Sequence, residues 1–243
     1  MKKICAFLLS VGLMAAAVQA ADQATSVNAV GFEKFNVSTG QLALVRCDFL
    51  TMGASLTVSN VFGATLPIGA QLYFWNGTNY QIETYSRYFV SPPANYATNW
   101  APGTNLLVTG KAFWIRLPAV APQSSYDVTV SGEVPGSTRQ PSNTVSVLPG
   151  LNMVGYSYPT TIAWTNTTLA KQAEIGDRYN VWDGSSYSIY NYARVFVSPP
   201  ANYATNWGGG QSVVLNPGQG FWYSRGVSAS PISWTEILPY VMP

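Results

Sequence analysis

Residues 89–100 read FVSPPANYATNW, and residues 196–207 read FVSPPANYATNW again, 107 positions further along the chain. The register extends beyond this stretch, since Gly69 aligns with Gly176 at the same separation. Self-similarity at a fixed period is the sequence signature of a repeated structural unit. The chain is therefore predicted to contain two copies of one module.

Each copy carries a tight-turn signal ahead of the repeated stretch. Residues 75–77 read WNG and residues 182–184 read WDG. Asn-Gly and Asp-Gly tolerate the positive φ angles of a type I′ turn, so both predict a β-hairpin. Alternating segments such as residues 127–130 (DVTV) and 144–147 (TVSV) are typical of half-buried strands. We predict an all-β fold, a tandem duplication of a small antiparallel β-sandwich or partly closed barrel.

The chain divides into four predicted parts: a signal peptide at residues 1–20, copy one at 26–134, a linker at 135–142 and copy two at 143–243. The linker reads PGSTRQPS, a composition typical of loops. Two separate modules are the preferred arrangement. The alternative is a single sandwich in which the strands of the two copies interleave.

The first 20 residues combine a basic start with an apolar run and small residues at the end. This pattern predicts a secretory signal peptide that is cleaved after Ala20. A membrane anchor is the alternative, but the apolar run is short against the roughly 20 residues of a spanning helix. We expect a secreted or cell-surface protein with no membrane insertion after cleavage.

The charge balance argues against two classes of partner. Removal of Lys2 and Lys3 with the signal peptide leaves ten basic residues against ten acidic ones. Nucleic-acid binding depends on clustered Lys and Arg that neutralise phosphates, and the sequence has no such cluster. We therefore expect neither nucleic acid nor anionic lipid as a partner.

The inventory of reactive side chains argues against catalysis. The chain contains no histidine, which excludes Ser–His and Cys–His nucleophilic pairs and His-ligated zinc. Asp177 and Asp183 lack the spacing of a calcium loop. We predict no catalytic residue, no cofactor and no metal site. Cys47, the single cysteine after signal cleavage, is expected to be buried, and an intermolecular disulfide is the alternative.

The repeated stretch is the best candidate for a binding surface, because loops usually diverge faster than the strands they join. As a binding loop it offers amide, hydroxyl and aromatic groups to a polysaccharide or a surface protein. The candidate binding residues are Asn95, Tyr96, Thr98, Asn99 and Trp100 in copy one, and Asn202, Tyr203, Thr205, Asn206 and Trp207 in copy two. Arg87 and Arg194 are expected to brace the two loops by donating to loop carbonyls.

Two other interpretations of the repeated stretch stay open. In one it is an internal strap whose Phe89, Tyr96 and Trp100 fill the end of the sandwich. An aromatic side chain that buries roughly 150–250 Å² at about 25 cal/mol per Å² contributes at most about 4–6 kcal/mol, which favours the strap. In the other, recent sequence exchange between the copies preserves the identity. Trp75 and Trp182 are expected to pack in the core.

Three segments of copy two follow in a set order: GLNMVG at residues 150–155, WDGSSY at 182–187 and PGQGFW at 217–222. This order resembles β-modules of exported bacterial proteins that read roughly G-x-N-L-V-G, W-D-G-x-x-Y and P-G-x-G-F-W. Copy one departs from the pattern, with Arg46 in place of the last Gly and Asn76 in place of the Asp. The resemblance implies an exported β-module, a class usually without an assigned activity, and it transfers no functional residues.

Taken together, the sequence predicts a secreted, non-catalytic interaction module that binds a polysaccharide or a surface protein. The alternative is a structural component of an outer coat or extracellular matrix that self-associates through sheet edges and aromatic patches. A hydrolase is a distant third.

Overall fold

The computed structural model describes residues 29–52 and 55–241 of the 243-residue chain. The predicted signal peptide, with its Cys5, lies outside the described residues. The described part consists mainly of antiparallel strands joined by turns and a few short helical segments, which confirms the prediction of an all-β fold. Within residues 29–52 and 55–241, no helix has the length and apolar character needed to cross a membrane.

The strands of the first half are β1 (Val30–Ser38), β2 (Leu42–Arg46), β3 (Gln71–Trp75), β4 (Tyr80–Ser91), β5 (Asn95–Ala101), β6 (Ala112–Arg116) and β7 (Ser125–Glu133). Those of the second half are β8 (Ser142–Val147), β9 (Gly150–Gly155), β10 (Ile162–Ala163), β11 (Arg178–Trp182), β12 (Tyr187–Asn191), β13 (Ala193–Ser198), β14 (Asn202–Asn206), β15 (Val214–Leu215), β16 (Gly220–Arg225) and β17 (Ile232–Ile237). The helical segments are α1 (Val58–Phe62), α2 (Thr168–Lys171) and two 3₁₀ turns at Trp164–Asn166 and Gly208–Ser212.

The two halves have a similar arrangement of β-sheets. The first half forms a five-stranded sheet in the order β2-β6-β3-β4-β5 and a separate β1–β7 pair. The second half forms a four-stranded sheet in the order β12-β11-β16-β9, a β13–β14 hairpin, a β8–β17 pair and a short β10–β15 pair. Strands β2, β3 and β6 thus correspond to β9, β11 and β16. Strand β4 corresponds to β12 and β13 together, because the second half is interrupted at Tyr192.

The hairpin turns form where the sequence predicts them, but they are not type I′ turns: four residues join each strand pair, and no non-glycine residue in the described ranges has a positive φ. The Asn76 side-chain oxygen accepts hydrogen bonds from the backbone N–H groups of Thr78 and Asn79, at 2.9 and 2.8 Å. In the equivalent turn, Asp183 Oδ1 accepts from the backbone N–H groups of Ser185 and Ser186 at 2.8 and 2.7 Å, and these donors lower the pKa of its carboxyl. Gly77 follows Asn76 with a φ of 101°. Either an amide or a carboxylate oxygen can accept these bonds, so Asn and Asp exchange here while the glycine stays.

Buried apolar residues form two clusters, one centred on each half, and the first also includes Met153 and Trp222 of the second half. In the first, Phe113 packs edge-on against Phe62 and stacked against Phe74, with ring centroids 6.2 and 5.4 Å apart. In the second, Trp164 stacks on Tyr179 with centroids 4.1 Å apart. Side chains along a strand point alternately to opposite faces. Strand β6 therefore buries Phe113 in this core and turns Trp114 to the other face of its sheet.

Candidate functional site

The repeated stretch forms the same β-hairpin in both halves, β4–β5 in the first and β13–β14 in the second. Phe89 lies opposite Tyr96, and Phe196 lies opposite Tyr203. The register shifts just after each of these pairs, before the Pro-Pro tip. The identical twelve residues therefore adopt one local structure in two different surroundings.

The C-terminal ends of both hairpins are buried. Trp100 is 3% exposed and donates from Nε1 to the Gly63 carbonyl at 2.9 Å. Trp207 is also 3% exposed and donates from Nε1 to the Ala170 carbonyl at 3.3 Å. These two candidate binding residues thus anchor the hairpins to the helical segments of their own halves. Their rings are covered by core aromatics, so they do not contribute to the exposed surface.

The remaining candidate residues lie nearer the hairpin tips. Seven of them are exposed, namely Asn95, Tyr96, Thr98, Asn99, Asn202, Tyr203 and Thr205. The eighth, Asn206, is half-buried, and its side-chain oxygen accepts from the Gly208 N–H at 2.7 Å.

Apolar side chains accompany these polar groups at the tips. Phe89 and Val90 are 55% and 51% exposed, and their counterparts Phe196 and Val197 are 59% and 55% exposed. Hydrophobic side chains at the surface are ordinary when they are isolated, whereas exposed apolar side chains that recur at the same positions of both hairpins make the tips candidate interaction surfaces.

The two arginines contact rings rather than the loop carbonyls that the sequence suggested. The Arg87 guanidinium lies 4.0 Å from the centre of the Tyr96 ring, and the Arg194 guanidinium lies 4.3 Å from that of Tyr203. Phe89 packs edge-on against the same Tyr96 ring at 5.6 Å. A guanidinium over an aromatic face is attracted by the ring quadrupole. Each hairpin therefore presents an ordered stack of Arg, Tyr and Phe.

A second feature lies where the two halves meet. Six aromatic rings form this junction: Trp75, Tyr80, Trp114, Trp182, Tyr187 and Trp222. Trp75 packs edge-on against Trp222 at 5.6 Å, and Trp182 packs edge-on against Trp114 at 5.5 Å. Trp75 and Trp182 are thus half-buried where the halves meet, and both pack against the buried cluster of the first half, as expected of core-packing residues.

Hydrogen bonds across the junction repeat with the same symmetry. Trp75 Nε1 donates to the Leu151 carbonyl at 2.8 Å, and Trp182 Nε1 donates to the Leu42 carbonyl at 3.0 Å. Leu42 and Leu151 occupy equivalent positions in the two copies. Each half therefore offers the same donor and the same acceptor, as in a contact with twofold symmetry. The adjacent Phe-Trp residues of β6 and β16 indicate such a contact in the sequence. Because neighbouring side chains on a strand point to opposite faces, one ring of each pair faces away from the core of its own half and packs against another surface.

An open groove runs along one side of the junction. Its two adjoining cavities have volumes of about 470 and 530 Å³ and share Gln41, Leu42, Trp182 and Gly184. We call it the junction groove and define it by Gln41, Tyr73, Tyr80, Trp114, Arg116, Trp182 and Ser185. The wall of the first cavity is aromatic and its rim carries amide, hydroxyl and guanidinium groups, whereas the second is lined by residues of β1, β2 and the turn between them, with Trp182 as its one aromatic side chain.

Buried charged groups join the halves elsewhere on the junction. Arg46 and Asp48 are both 0% exposed and form an ion pair. Asp48 accepts from the Gly218 N–H at 2.9 Å, and Arg46 donates to the Tyr158 carbonyl at 3.2 Å. Burial, together with the neighbouring Asp48 carboxyl, raises the pKa of Glu33 to about 9. The raised pKa favours the protonated form of Glu33; burial raises the pKa of Asp48 as well, and its ion pair with Arg46 opposes that shift.

The acidic residues do not assemble a metal site in the described ranges, which contain no group of three or more His, Cys, Asp or Glu side chains suited to hold an ion. Cys47 is fully buried. Comparison of the chain with protein-family models, with curated proteins and with solved structures found no match.

Proposed function

We propose that the chain is an exported, non-catalytic binding protein that presents two copies of one adhesive hairpin to a polysaccharide or to a protein on a cell surface. The observation that carries this proposal is the division of each hairpin into a buried Trp anchor and an exposed aromatic tip. A core strap would bury both ends, but Phe89 and Phe196 are each more than half exposed.

The anchor supports binding by limiting the freedom of the tip. A hairpin fixed at its base by Trp100 or Trp207, with an Arg–Tyr stack along it, loses little conformational entropy when a partner binds. Two identical tips on one chain also permit bivalent engagement, which strengthens binding to a repetitive target without any new contact. The absence of histidine from the whole sequence supports a role without catalysis.

The test compares binding by the protein and by a variant with both tips altered, Phe89→Ser with Phe196→Ser. A matched control carries Val120→Ser with Val227→Ser, since these two valines are each 88% exposed and lie outside the hairpins. Binding is measured on a glycan array and on intact bacterial cells before and after protease treatment. Glycan binding that the tip variant loses and the control keeps supports a polysaccharide partner, whereas protease-sensitive cell binding supports a protein. Undiminished binding by the tip variant overturns the proposal.

A coat or matrix component is the second candidate, favoured by exposed apolar residues on strand β1. Val30 and Phe32 of this strand are 65% and 73% exposed, and apolar strands at a sheet edge are prone to pair with other chains. Sedimentation velocity over a hundredfold range of concentration separates the two candidates. Reversible assembly that the tip substitutions leave intact and that Phe32→Ser abolishes favours the coat.

A further inference from the structure

We propose that the junction groove is a second binding site, separate from the hairpins, and that it takes an acidic saccharide. The proposal rests on the shape of the groove, on its aromatic wall and on an arginine at its rim. It does not depend on the function proposed for the hairpins.

The shape suits a chain-like ligand. The two cavities adjoin at Leu42 and Trp182, and each is large enough for a small ligand of its own. Since they share their boundary residues, an occupant can extend from one cavity into the next. A single compact ligand would leave half of this surface unused.

The wall suits sugar rings. A pyranose has an apolar face of C–H groups and an edge of hydroxyls, and Tyr and Trp offer the complementary combination of apolar ring and polar group. Tyr80 is 41% exposed and packs edge-on against Tyr73 at 5.8 Å, so the two rings stand at a fixed angle. Gln41 adds an amide group at the rim, and the Ser185 hydroxyl lies there too but donates to the Asp183 carboxylate at 3.0 Å.

The rim selects an acidic ligand. Arg116 is exposed and has no ion-pair partner among the described residues. Its polar contact is to the Gln71 side-chain oxygen, at 3.5 Å, and the Tyr73 hydroxyl donates to that same oxygen at 2.7 Å. A guanidinium presents two parallel donors that match a carboxylate. The carboxylate of a uronic acid residue would complete this arrangement.

An extended acidic peptide is the competing occupant, and the groove suits it less well. Peptides that lie along a sheet edge gain affinity through backbone hydrogen bonds to that edge. Strand β2 is an edge strand of its sheet, but its Leu42 carbonyl already accepts from Trp182 Nε1. Trp182 therefore competes for one of the backbone hydrogen bonds that a peptide would make along this edge.

The duplication supplies matched variants. Asn180 and Ser224 of copy two stand where copy one has Tyr73 and Arg116, and Arg178 stands where copy one has Gln71. Tyr73→Asn and Arg116→Ser thus introduce residues that this fold already holds at equivalent positions. Arg178→Gln is the control, because it removes an exposed arginine from the corresponding face of copy two.

The experiment measures binding of the protein to hexamers of galacturonic, glucuronic and mannuronic acid by calorimetry. The methyl ester of each hexamer and a hexamer of glutamate serve as comparisons. We expect at least one acid hexamer to bind about tenfold more tightly than its ester, and Arg116→Ser to weaken acid binding about tenfold while it leaves ester binding unchanged. Tyr73→Asn should weaken the binding of both the acid hexamer and its ester. Arg178→Gln and the hairpin variant Phe89→Ser with Phe196→Ser should bind like the unaltered protein.

The inference is overturned by no binding of any acid hexamer, by acid binding that Arg116→Ser does not weaken, or by tighter binding of the glutamate hexamer. Loss of binding in the hairpin variant alone would assign the saccharide to the hairpins and would overturn the groove as its site. Thermal unfolding of every variant shows whether a loss of binding comes from a loss of folding.

Discussion

Gly155 lies directly against the side chain of Arg46, and the two residues hold equivalent positions in the two copies. A Cβ at position 155 would lie 3.1 Å from Cβ and Cγ of Arg46 and closer still to its Cδ. Arg46 is fully buried and ion-paired with Asp48, so its stem cannot swing aside. The space between the halves admits one large side chain, and the two copies must therefore differ at this position.

Substitution of Gly155 tests this packing. Gly155→Ala should lower the free energy of unfolding by about 2 kcal/mol, because the added methyl overpacks a buried site. Urea unfolding followed by tryptophan fluorescence measures the loss. Gly226→Ala is the control and should change stability by less than about 0.5 kcal/mol, since the nearest atom to its added Cβ would be 3.8 Å away. An unchanged midpoint for Gly155→Ala would contradict the close packing.

Substitutions in the buried part and in the exposed part of the hairpins should have different effects on the free energy of unfolding. Trp100→Ala and Trp207→Ala each remove a ring that is 3% exposed, and each should cost about 3–5 kcal/mol. The tip variant Phe89→Ser with Phe196→Ser should remain within about 1 kcal/mol of the unaltered protein, because both rings are mostly in solvent. Thermal and urea unfolding measure both. If the tip variant lost as much stability as the Trp→Ala variants, the tip side chains would be packed in the core.

The local signals of the sequence predicted the fold well. Asn76-Gly77 and Asp183-Gly184 specify their turns through a side-chain oxygen and a positive φ, both of which act within four residues. Alternation of apolar residues then predicts strands without any knowledge of their neighbours.

The candidate site was harder to predict because burial depends on what surrounds a strand. Tyr96 and Trp100 alternate onto the same face of β5, yet the first is 46% exposed and the second 3%. The hairpin projects past the end of the core, so only its base is covered, and no local pattern marks where the core ends. In the same way, Trp75 meets Trp222 across a large separation in sequence.

The paired tryptophans of the junction should contribute equally. Trp75→Phe and Trp182→Phe each remove an indole donor and leave a carbonyl without its partner. Each should therefore cost about 1 kcal/mol. Urea unfolding of the two single variants and of the double variant provides the measurement. A cost confined to one of the two would contradict the twofold arrangement.

Cys47 should be inert while the protein is folded. Burial raises the pKa of its thiol to about 12, and thiol reagents attack the thiolate. In the chain from Ala21 onward Cys47 is the single cysteine, so a chromogenic disulfide reagent at pH 8 should release no colour from the native protein and one equivalent in concentrated urea. Prompt reaction of the native protein would contradict the burial.

Glu33 should make the protein less stable as the pH rises. Its pKa is raised from 4.5 to about 9 in the folded state by burial and by Asp48, whereas in the unfolded chain it titrates near its ordinary value. Between these two values the folded state binds more protons, so the contribution of Glu33 is fully present below about pH 4.5 and is lost as the pH approaches 9. Glu33→Gln keeps a neutral donor beside Asp48 and removes the titration. Urea unfolding at pH 5, 7 and 9 should therefore show that the variant gains stability relative to the unaltered protein at each step. If the difference in free energy of unfolding between the two proteins is the same at all three pH values, Glu33 is ionised throughout.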